Sequence, residues 1–584
     1  MIPVEYMPPL MFGGLVLFML VGFPVAFSLM ALGLFFGFVS IELGFFSINY
    51  LQAVPQRIFG SVLANDLLLA IPFFTFMGAI LEKCGLAEEM LDSMGQLFGP
   101  IRGGLGYSVI IVGFILGAIT GTVAAQVITM AMISLPVMMR YRYNIRYTTG
   151  VLAASGTITQ LVPPSLVLVV LSDQLRTQTA SADVGSMYLG AWGPSLIQIA
   201  LFMAYTFLLS RIKPDWLPAI PKEDRTLQGW ALYKKCFEGI IPSAVLIFMV
   251  LGTMMLGIAT PTESGAMGAL GAVVLAVIRD KDFGKTDRWF FRLGMLGMLA
   301  AVLIGFVFYT TDVGISATGK PFLQTALAAV YIGIAWLVYR ATRIRSLRNL
   351  IVEGYQSTMR LTCMVVFILI GSTCFSVVFM GVDGGMWVEH LFTGLPGGWI
   401  GFLIVVNLFI FFLAFFLDFF EIAFIVVPML APVAEKILAP VLLASMGSPE
   451  AASQAALVWF GVMLCVNMQT SFMHPPFGFA LFYLRGVAPK EVKSSDIYWG
   501  ALPWVVLQII MVILVAALPG MVTAFLDKGV ATGPYEGLHI EQSEDSGSSW
   551  GAPTQEYSVG DSLPAAETAP ATEPAAEPAA EPAK

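Results

Sequence analysis

The sequence predicts an all-α polytopic membrane protein built as an inverted repeat, and three observations predict it. Of its 584 residues, 58% are hydrophobic and 12% charged, against about 25% charged in soluble domains. The apolar residues run in blocks of roughly 17 to 25, the length a helix needs to cross about 30 Å of hydrocarbon. Two proline pairs, Pro163-Pro164 and Pro475-Pro476, interrupt apolar segments in the two halves of the chain. A soluble enzyme is excluded by the first two alone.

Apolar windows place spans near residues 10–40, 67–82, 148–172, 187–210, 238–258, 263–279, 293–311, 321–339, 360–380, 455–484 and 498–520. Two further stretches, 105–138 and 398–437, carry polar residues at their centres and read as one long helix, two spans or a re-entrant hairpin. Arginines and lysines cluster at 140–146, 211–235, 279–292 and 340–348, and the positive-inside rule makes all four loops cytoplasmic. That assignment is self-consistent if each ambiguous stretch returns to the side it left. The N-terminus is then cytoplasmic and the C-terminal tail lies outside. Met1–Pro9 has no Lys or Arg and leads into a long apolar run, which reads as a retained span.

Residues 541–584 hold nine of the 38 acidic residues and one of the 30 basic, so the rest is balanced. From about Lys528 the chain is Gly/Ser-rich and then repeats Ala, Glu and Pro, a composition that supports no packed core. The five cysteines lack CxxC spacing or nearby His pairs, and indicate neither a disulfide framework nor a zinc site. No basic stripe suggests nucleic acid.

The halves overlay: Gly78, Gly103-Gly104, Pro136 and Pro163-Pro164 answer to Gly371, Gly397-Gly398, Pro432 and Pro475-Pro476. A longer interval in the second half falls around Ala439–Ala456, read as a loop. Since the halves begin on opposite sides, the repeat is inverted. Inverted repeats with interrupted spans point to a secondary transporter's central site. A proline pair breaks its helix, and irregular backbone in lipid survives only inside protein or along a cavity.

Polar clusters adjoin both breaks. Thr120-Gly121-Thr122 centres the first ambiguous stretch, and Ser155-Gly156-Thr157-Ile158-Thr159-Gln160 leads into Pro163-Pro164-Ser165. Hydroxyls and carbonyls are hard, uncharged ligands that suit a monovalent cation such as sodium. In the second half Asp418 and Glu421 interrupt an apolar run, and Asn467, Gln469, Thr470, Ser471 and His474 precede Pro475-Pro476. Ionisable groups at this depth are functional candidates; His474 suits a carboxylate or a proton. Gly284-Lys285-Thr286 lacks the earlier glycine of a P-loop, where Arg279 stands, and no nucleophile-elbow motif serves His474. The chain reads as a non-enzyme.

Gly22-Phe23-Pro24-Val25-Ala26-Phe27, Gly99-Pro100-Ile101-Arg102-Gly103-Gly104-Leu105, Gly117-Ala118-Ile119-Thr120-Gly121-Thr122, Val162-Pro163-Pro164-Ser165, Thr260-Pro261-Thr262-Glu263-Ser264-Gly265-Ala266 and Pro475-Pro476-Phe477-Gly478-Phe479 occur in order. Over residues 5–525 this resembles the large membrane subunit of tripartite ATP-independent periplasmic (TRAP) transporters. The resemblance implies a bacterial inner-membrane symporter of the wider ion-transporter superfamily, driven by sodium. It would take an organic acid from a periplasmic binding protein, beside a small four-helix membrane subunit on a separate chain. It also implies an elevator motion of two hairpins and two broken helices past a scaffold.

On that resemblance sodium is held by Thr120, Gly121, Thr122, Gly156, Thr159, Pro163, Asn467, Gln469 and Thr470, and the cargo by Ser165, Asp418, His474 and Pro475. His474 stands where the family pattern usually has Thr or Ser. The Asp173-Gln174 pair and Gln469-Thr470-Ser471-Phe472 look most like the branch named for mannitol and chloroaromatic compounds. The expected organisation is scaffold spans with an amphipathic arm in 1–104, a transport domain in 105–172 and 398–484, scaffold again in 173–397 with an extra pair near 293–339, a last span in 485–527 and a tail in 528–584. A self-sufficient carboxylate symporter of the same superfamily is the alternative.

Overall fold

The computed structural model describes residues 3–177, 179–225, 229–255, 258–279, 339, 343–415, 417–475 and 478–527. The expected extra pair of spans and the tail fall outside these residues, Tyr339 apart. Among the described residues nine helices are long and apolar enough to cross a bilayer, and the β pairing is an isolated bridge between Arg176 and Ser181. The fold is that of an all-helical polytopic membrane protein, with residues such as Phe27, Phe35, Leu208 and Ile404 exposed on its flanks.

The N-terminal window becomes two helices, α1 (Met7–Val21) and α2 (Val25–Glu42). Gly22 stops α1 in a left-handed conformation (φ 89°) and Pro24 precedes α2, a stop-and-start pair that one continuous helix does not tolerate. The first repeat follows: α3 (Ala70–Lys83), the arm α4 (Leu86–Phe98), α5 (Gly104–Thr120), α6 (Val123–Arg140), α7 (Ile145–Thr157), a 3₁₀ turn Ile158–Gln160, α8 (Leu166–Gln174) and α9 (Val184–Ile212). Helices α10 (Trp230–Met255) and α11 (Pro261–Arg279) come next.

The second repeat has the same order. Helix α12 (Arg345–Gly381) leads to the arm α13 (Gly384–Thr393), α14 (Gly398–Leu413) and α15 (Phe419–Met446). Helix α16 (Pro449–Met468), a 3₁₀ turn Gln469–Phe472, α17 (Phe479–Val487) and α18 (Ser494–Ala517) complete it. The paired glycines do the same work in both halves: Gly103 (φ 80°) starts α5 and Gly397 (φ 94°) starts α14, each turning the arm sharply into the helix. The interval around Ala439–Ala456, expected as a loop, is helical except for Gly447-Ser448. Its Ala- and Leu-rich sequence favours helix, so α15 and α16 are simply longer than α6 and α7.

The two ambiguous stretches are each two helices. Helices α5 and α6 lie side by side, joined at Gly121 (φ 62°) and an extended Thr122, and the Gln126 amide reaches back to the Gly113 carbonyl at 2.6 Å. Helices α14 and α15 pack on one another across Asp418, and α15 widens to a π-helical turn at Ile422–Val426, where Ser372 of α12 donates to the Phe424 carbonyl.

Buried side chains fall into two cores that exchange the broken helices. One gathers α5, α6 and α7 with α17; the other gathers α14, α15 and α16 with α8. Each interrupted helix thus starts in one core and finishes in the other. Helices α11 and α12 pack along α3, and α12 also along α2.

Replacing Gly103 or Gly397 by Ala forces a side chain into the left-handed region, and each variant should lose about 1–2 kcal/mol. Gly13→Ala, at a helical position with open space around it, should be neutral or gain up to about 1 kcal/mol. Reversible unfolding in detergent compares the three.

Candidate functional site

In the first half the hairpin α5–α6 lies against the end of α7. The Gln126 amide donates to the Gly113 carbonyl at 2.6 Å and the Ser155 carbonyl at 2.8 Å, and the Thr159 hydroxyl donates to Gln126 Oε1. Thr159 is also 2.8 Å from the Gly156 carbonyl. Two glycines permit this approach: a Cβ on Gly117 would lie 3.2 Å from Thr159 Cα, and one on Gly156 would meet Val127 at 2.1 Å. Of the predicted residues, Gly156 and Thr159 are thus packed on this hairpin, whose tip at Gly121 (φ 62°) and Thr122 lies between Gly117 and Gln126 in the sequence. Pro163 follows in a cis Pro163-Pro164 pair.

The second half repeats the arrangement. Thr470 and Ser471 donate to the Asn467 and Met468 carbonyls, both at 2.7 Å, as Thr157 and Thr159 do to Ala154 and Gly156. A hydroxyl that has given its proton to a carbonyl keeps lone pairs for a further partner. Asn467 donates to Asn407 of α14 through its carbonyl (2.8 Å) and Oδ1 (3.0 Å). His474 is 2% exposed, stacked on Phe415 with ring centres 4.1 Å apart and edge-on to Phe411 at 4.5 Å. The end of α14 is thereby pinned to the second break, next to Pro475.

Two predicted cargo ligands turn out to be helix caps. Ser165 Oγ accepts from the Val167 N–H at 3.2 Å and donates to the Gln160 carbonyl. Asp418 and Glu421 form a reciprocal capping box, with both N–H to carboxylate distances at 2.9 Å. Both residues therefore fix where α8 and α15 begin.

The clusters adjoin. Cys465 Sγ donates to the Gln160 carbonyl at 3.2 Å. From α9, Ser195 donates to the Leu161 carbonyl at 3.1 Å while Gln198 donates to Gln469 Oε1 at 2.6 Å, touching both breaks. From α18, Gln508 donates to Thr157 at 3.0 Å and its amide lies 3.6 Å from Met473 Sδ. No Lys or Arg occurs in 103–139, 147–175, 397–435 or 437–484, which include both tips and both breaks. Sequence reasoning missed Gln126, Ser195, Gln198, Asn407 and Gln508; the available signal was a lone polar side chain inside an apolar span. Among the described residues no group of three or more His, Cys, Asp or Glu is arranged to hold a metal.

Gln126→Leu would take the side-chain donor from two buried carbonyls and leave Thr159 with the Gly156 carbonyl as its partner, at a cost of about 1–3 kcal/mol. Amide hydrogen exchange should speed up in 113–126 and 155–160 and stay unchanged in 467–475; equal acceleration of both segments would show the clusters to be one unit.

Comparison with known proteins agrees with this architecture. The sequence matches the family described as tripartite ATP-independent periplasmic transporter, DctM component, over residues 12–307 and 292–521. The C4-dicarboxylate TRAP transporter large permease protein DctM of Vibrio cholerae is 25% identical over 505 residues, 86% of this chain and 94% of that protein. The sialic acid TRAP transporter large permease protein SiaM of the same organism is 23% identical over 499 residues, 85% and 93% of the two chains. The isethionate TRAP transporter permease protein DctMQ of Oleidesulfovibrio alaskensis is 23% identical over 515 residues, 88% of this chain and 65% of that protein. All three are named as permeases and none as an enzyme. The matched stretches span nearly the whole helical body, and the chain belongs to the DctM component of the tripartite ATP-independent periplasmic transporters, inner-membrane permeases that work with a small membrane subunit and a periplasmic binding protein.

Proposed function

We propose that this chain is the large permease subunit of a sodium-coupled importer of an organic acid, a C4-dicarboxylate, 2-oxo acid or related carboxylate. The cargo arrives from a periplasmic binding protein, and a small four-helix membrane subunit on a separate chain completes the complex. One observation carries the reading: two interrupted helices meet among hydroxyl, amide and carbonyl oxygens, in segments whose own sequence holds no Lys or Arg. A carboxylate taken out of water there is costly unless a cation comes with it. Hard oxygens suit sodium, and the relatives are named for acids.

The first ion lies among Thr120, Gly121, Thr122, Gly156, Thr159 and Pro163, the second among Asn467, Gln469 and Thr470. Ser165, Asp418, His474 and Pro475 border the cargo, the two caps acting by setting where helix N-termini point. The two hairpins, which are re-entrant, and the two broken helices move together past a scaffold in an elevator step. The bonds of Ser195, Gln198 and Gln508 to the breaks support adding α9 and α18 to residues 105–172 and 398–484 in the mobile unit, and leaving α1–α3 and α10–α12 as scaffold. The N-terminus is cytoplasmic and the tail periplasmic.

Thermal stability in sodium against potassium at constant ionic strength, with the small subunit bound, tests the ion sites. A ligand at 100 times its Kd adds about 2.7 kcal/mol, so sodium should raise the melting temperature, and Thr122→Val and Thr470→Val should each reduce the gain. Equal stability in both salts would defeat sodium coupling. In proteoliposomes holding both membrane subunits, uptake should require the binding protein; uptake without it would favour a self-sufficient symporter. Asp418→Asn, which weakens the capping box, should slow uptake about tenfold, equivalent to about 1.4 kcal/mol, and wild-type rates would remove Asp418 from the site.

A further inference from the structure

The Asp173-Gln174 pair and the Thr260–Glu263 motif have no part in the ion or cargo sites, yet hydrogen bonds connect them. Glu263 and Thr260 form reciprocal caps at the start of α11, with Thr260 N–H to Glu263 Oε2 at 2.8 Å and Glu263 N–H to Thr260 Oγ1 at 3.3 Å. Thr262, between them, donates to the Asp66 carbonyl at 2.8 Å. Its neighbour Asn65 uses both ends of its amide. Oδ1 accepts from the Leu67 N–H at 3.0 Å, capping the turn that leads into α3, and Nδ2 donates to Asp173 Oδ1 at 2.7 Å. Asp173 lies in the last turn of α8, where its other oxygen accepts from Gln174 at 2.8 Å and Arg176 stands 3.4 Å away.

A carboxylate in the last turn of a helix opposes the helix dipole, and this one has a side chain only 9% exposed. Its placement depends on donors, and of these, among the described residues, only Asn65 comes from outside the α8 segment. A second polar contact joins the same two bodies at the far end of α3, where Thr129 of the first hairpin donates to Glu82 at 3.3 Å. Helix α3, packed on α11 and α12, is thus bonded to broken helix α8 near its start and to α6 near its end. Sliding one body past the other breaks both contacts.

We propose that the Asn65–Asp173 hydrogen bond is a latch that holds the mobile unit against the scaffold in this state, making Asp173 a positioning residue for the transport step. The inference rests on the elevator reading. Asn65→Asp keeps the oxygen that caps Leu67 but sets a carboxylate against Asp173. Asp173→Asn removes the charge at α8, and the double variant restores an acceptor-donor pair with the roles exchanged.

The readout sits at the other contact between the two bodies: a reporter cysteine, Thr129→Cys, which removes the Glu82 bond alike in every background, placed in the full chain with its small subunit in nanodiscs, its maleimide labelling rate resolved by peptide mass spectrometry. Asn65→Asp should raise labelling roughly tenfold, the scale expected for losing one charge-assisted hydrogen bond, and the double variant should return it to within about twofold of the parent. A purely local role would leave position 129 unchanged in Asn65→Asp, and an unrescued double variant would show that the pair does not act as a pair; either overturns the latch. If the elevator reading itself fails, labelling of the parent does not respond to sodium. A parent that responds to sodium with an Asn65→Asp variant identical to it sinks the latch alone.

Discussion

A helix interrupted at mid-span has to satisfy its loosened backbone from within the protein, because hydrocarbon offers no hydrogen-bond partner. Most of the architecture around the two proline breaks answers that demand. Short-range hydroxyls take the nearest carbonyls first: Thr157 and Thr159 on one side, Thr470 and Ser471 on the other. What remains is met by side chains from elsewhere, Ser195 at Leu161, Tyr188 at Ser165 and Cys465 at Gln160. Helices α9 and α18 are therefore required neighbours of the breaks, and α16 is wrapped on almost every side.

The exchange of half-helices between the two cores has a mechanical consequence. Helix α7 is packed with the first hairpin while α8, beyond the break, is packed with the second hairpin and α16; α16 and α17 do the reverse. Each break is thus a crossing between the two cores, and the crossings lie beside one another. Close-packed interiors resist deformation, so the two breaks are where the packing of one core gives way to that of the other.

The sequence carried the plan of this arrangement further than its details. Gly103 and Gly397 were legible as a repeated pair because a left-handed turn admits few residues other than glycine, and the proline pairs because they forbid helix. Gln126, Gln198 and Gln508 were not. A single amide in an apolar run has the same signature whether it faces the lipid edge or a buried carbonyl, and only the placement of Gly113, Gln469 or Thr157 decides. Ser165 and Asp418 were legible as polar residues beside the breaks, but not as helix caps, because the capped N–H groups belong to helices whose start the sequence does not mark. Composition also misjudged Ala439–Ala456: small residues suggested a loop, but alanine and leucine extend helices unless a stop such as Gly447 intervenes.

The absence of lysine and arginine from both tips and both breaks bears on how a moving site can work. A fixed cation would hold an anionic cargo well, but it would stay behind when the cargo left. An empty unit would then carry an uncompensated charge through a low-dielectric interior, where isolated ions are heavily penalised. On the proposed reading, mobile cations held by neutral oxygens would arrive with the anion and leave with it, adding no fixed positive charge to the return of the empty unit. The same reasoning would limit the contacts that hold the proposed mobile unit in place. Buried charge pairs on its sliding face would be costly to part, whereas amide and hydroxyl donors on carboxylates, as in Asn65–Asp173 and Thr129–Glu82, leave no second charge unpaired when they separate. On the proposed elevator reading, neutral donors between the two units and neutral oxygens in the site would share one property: neither leaves a positive charge behind when its partner moves away.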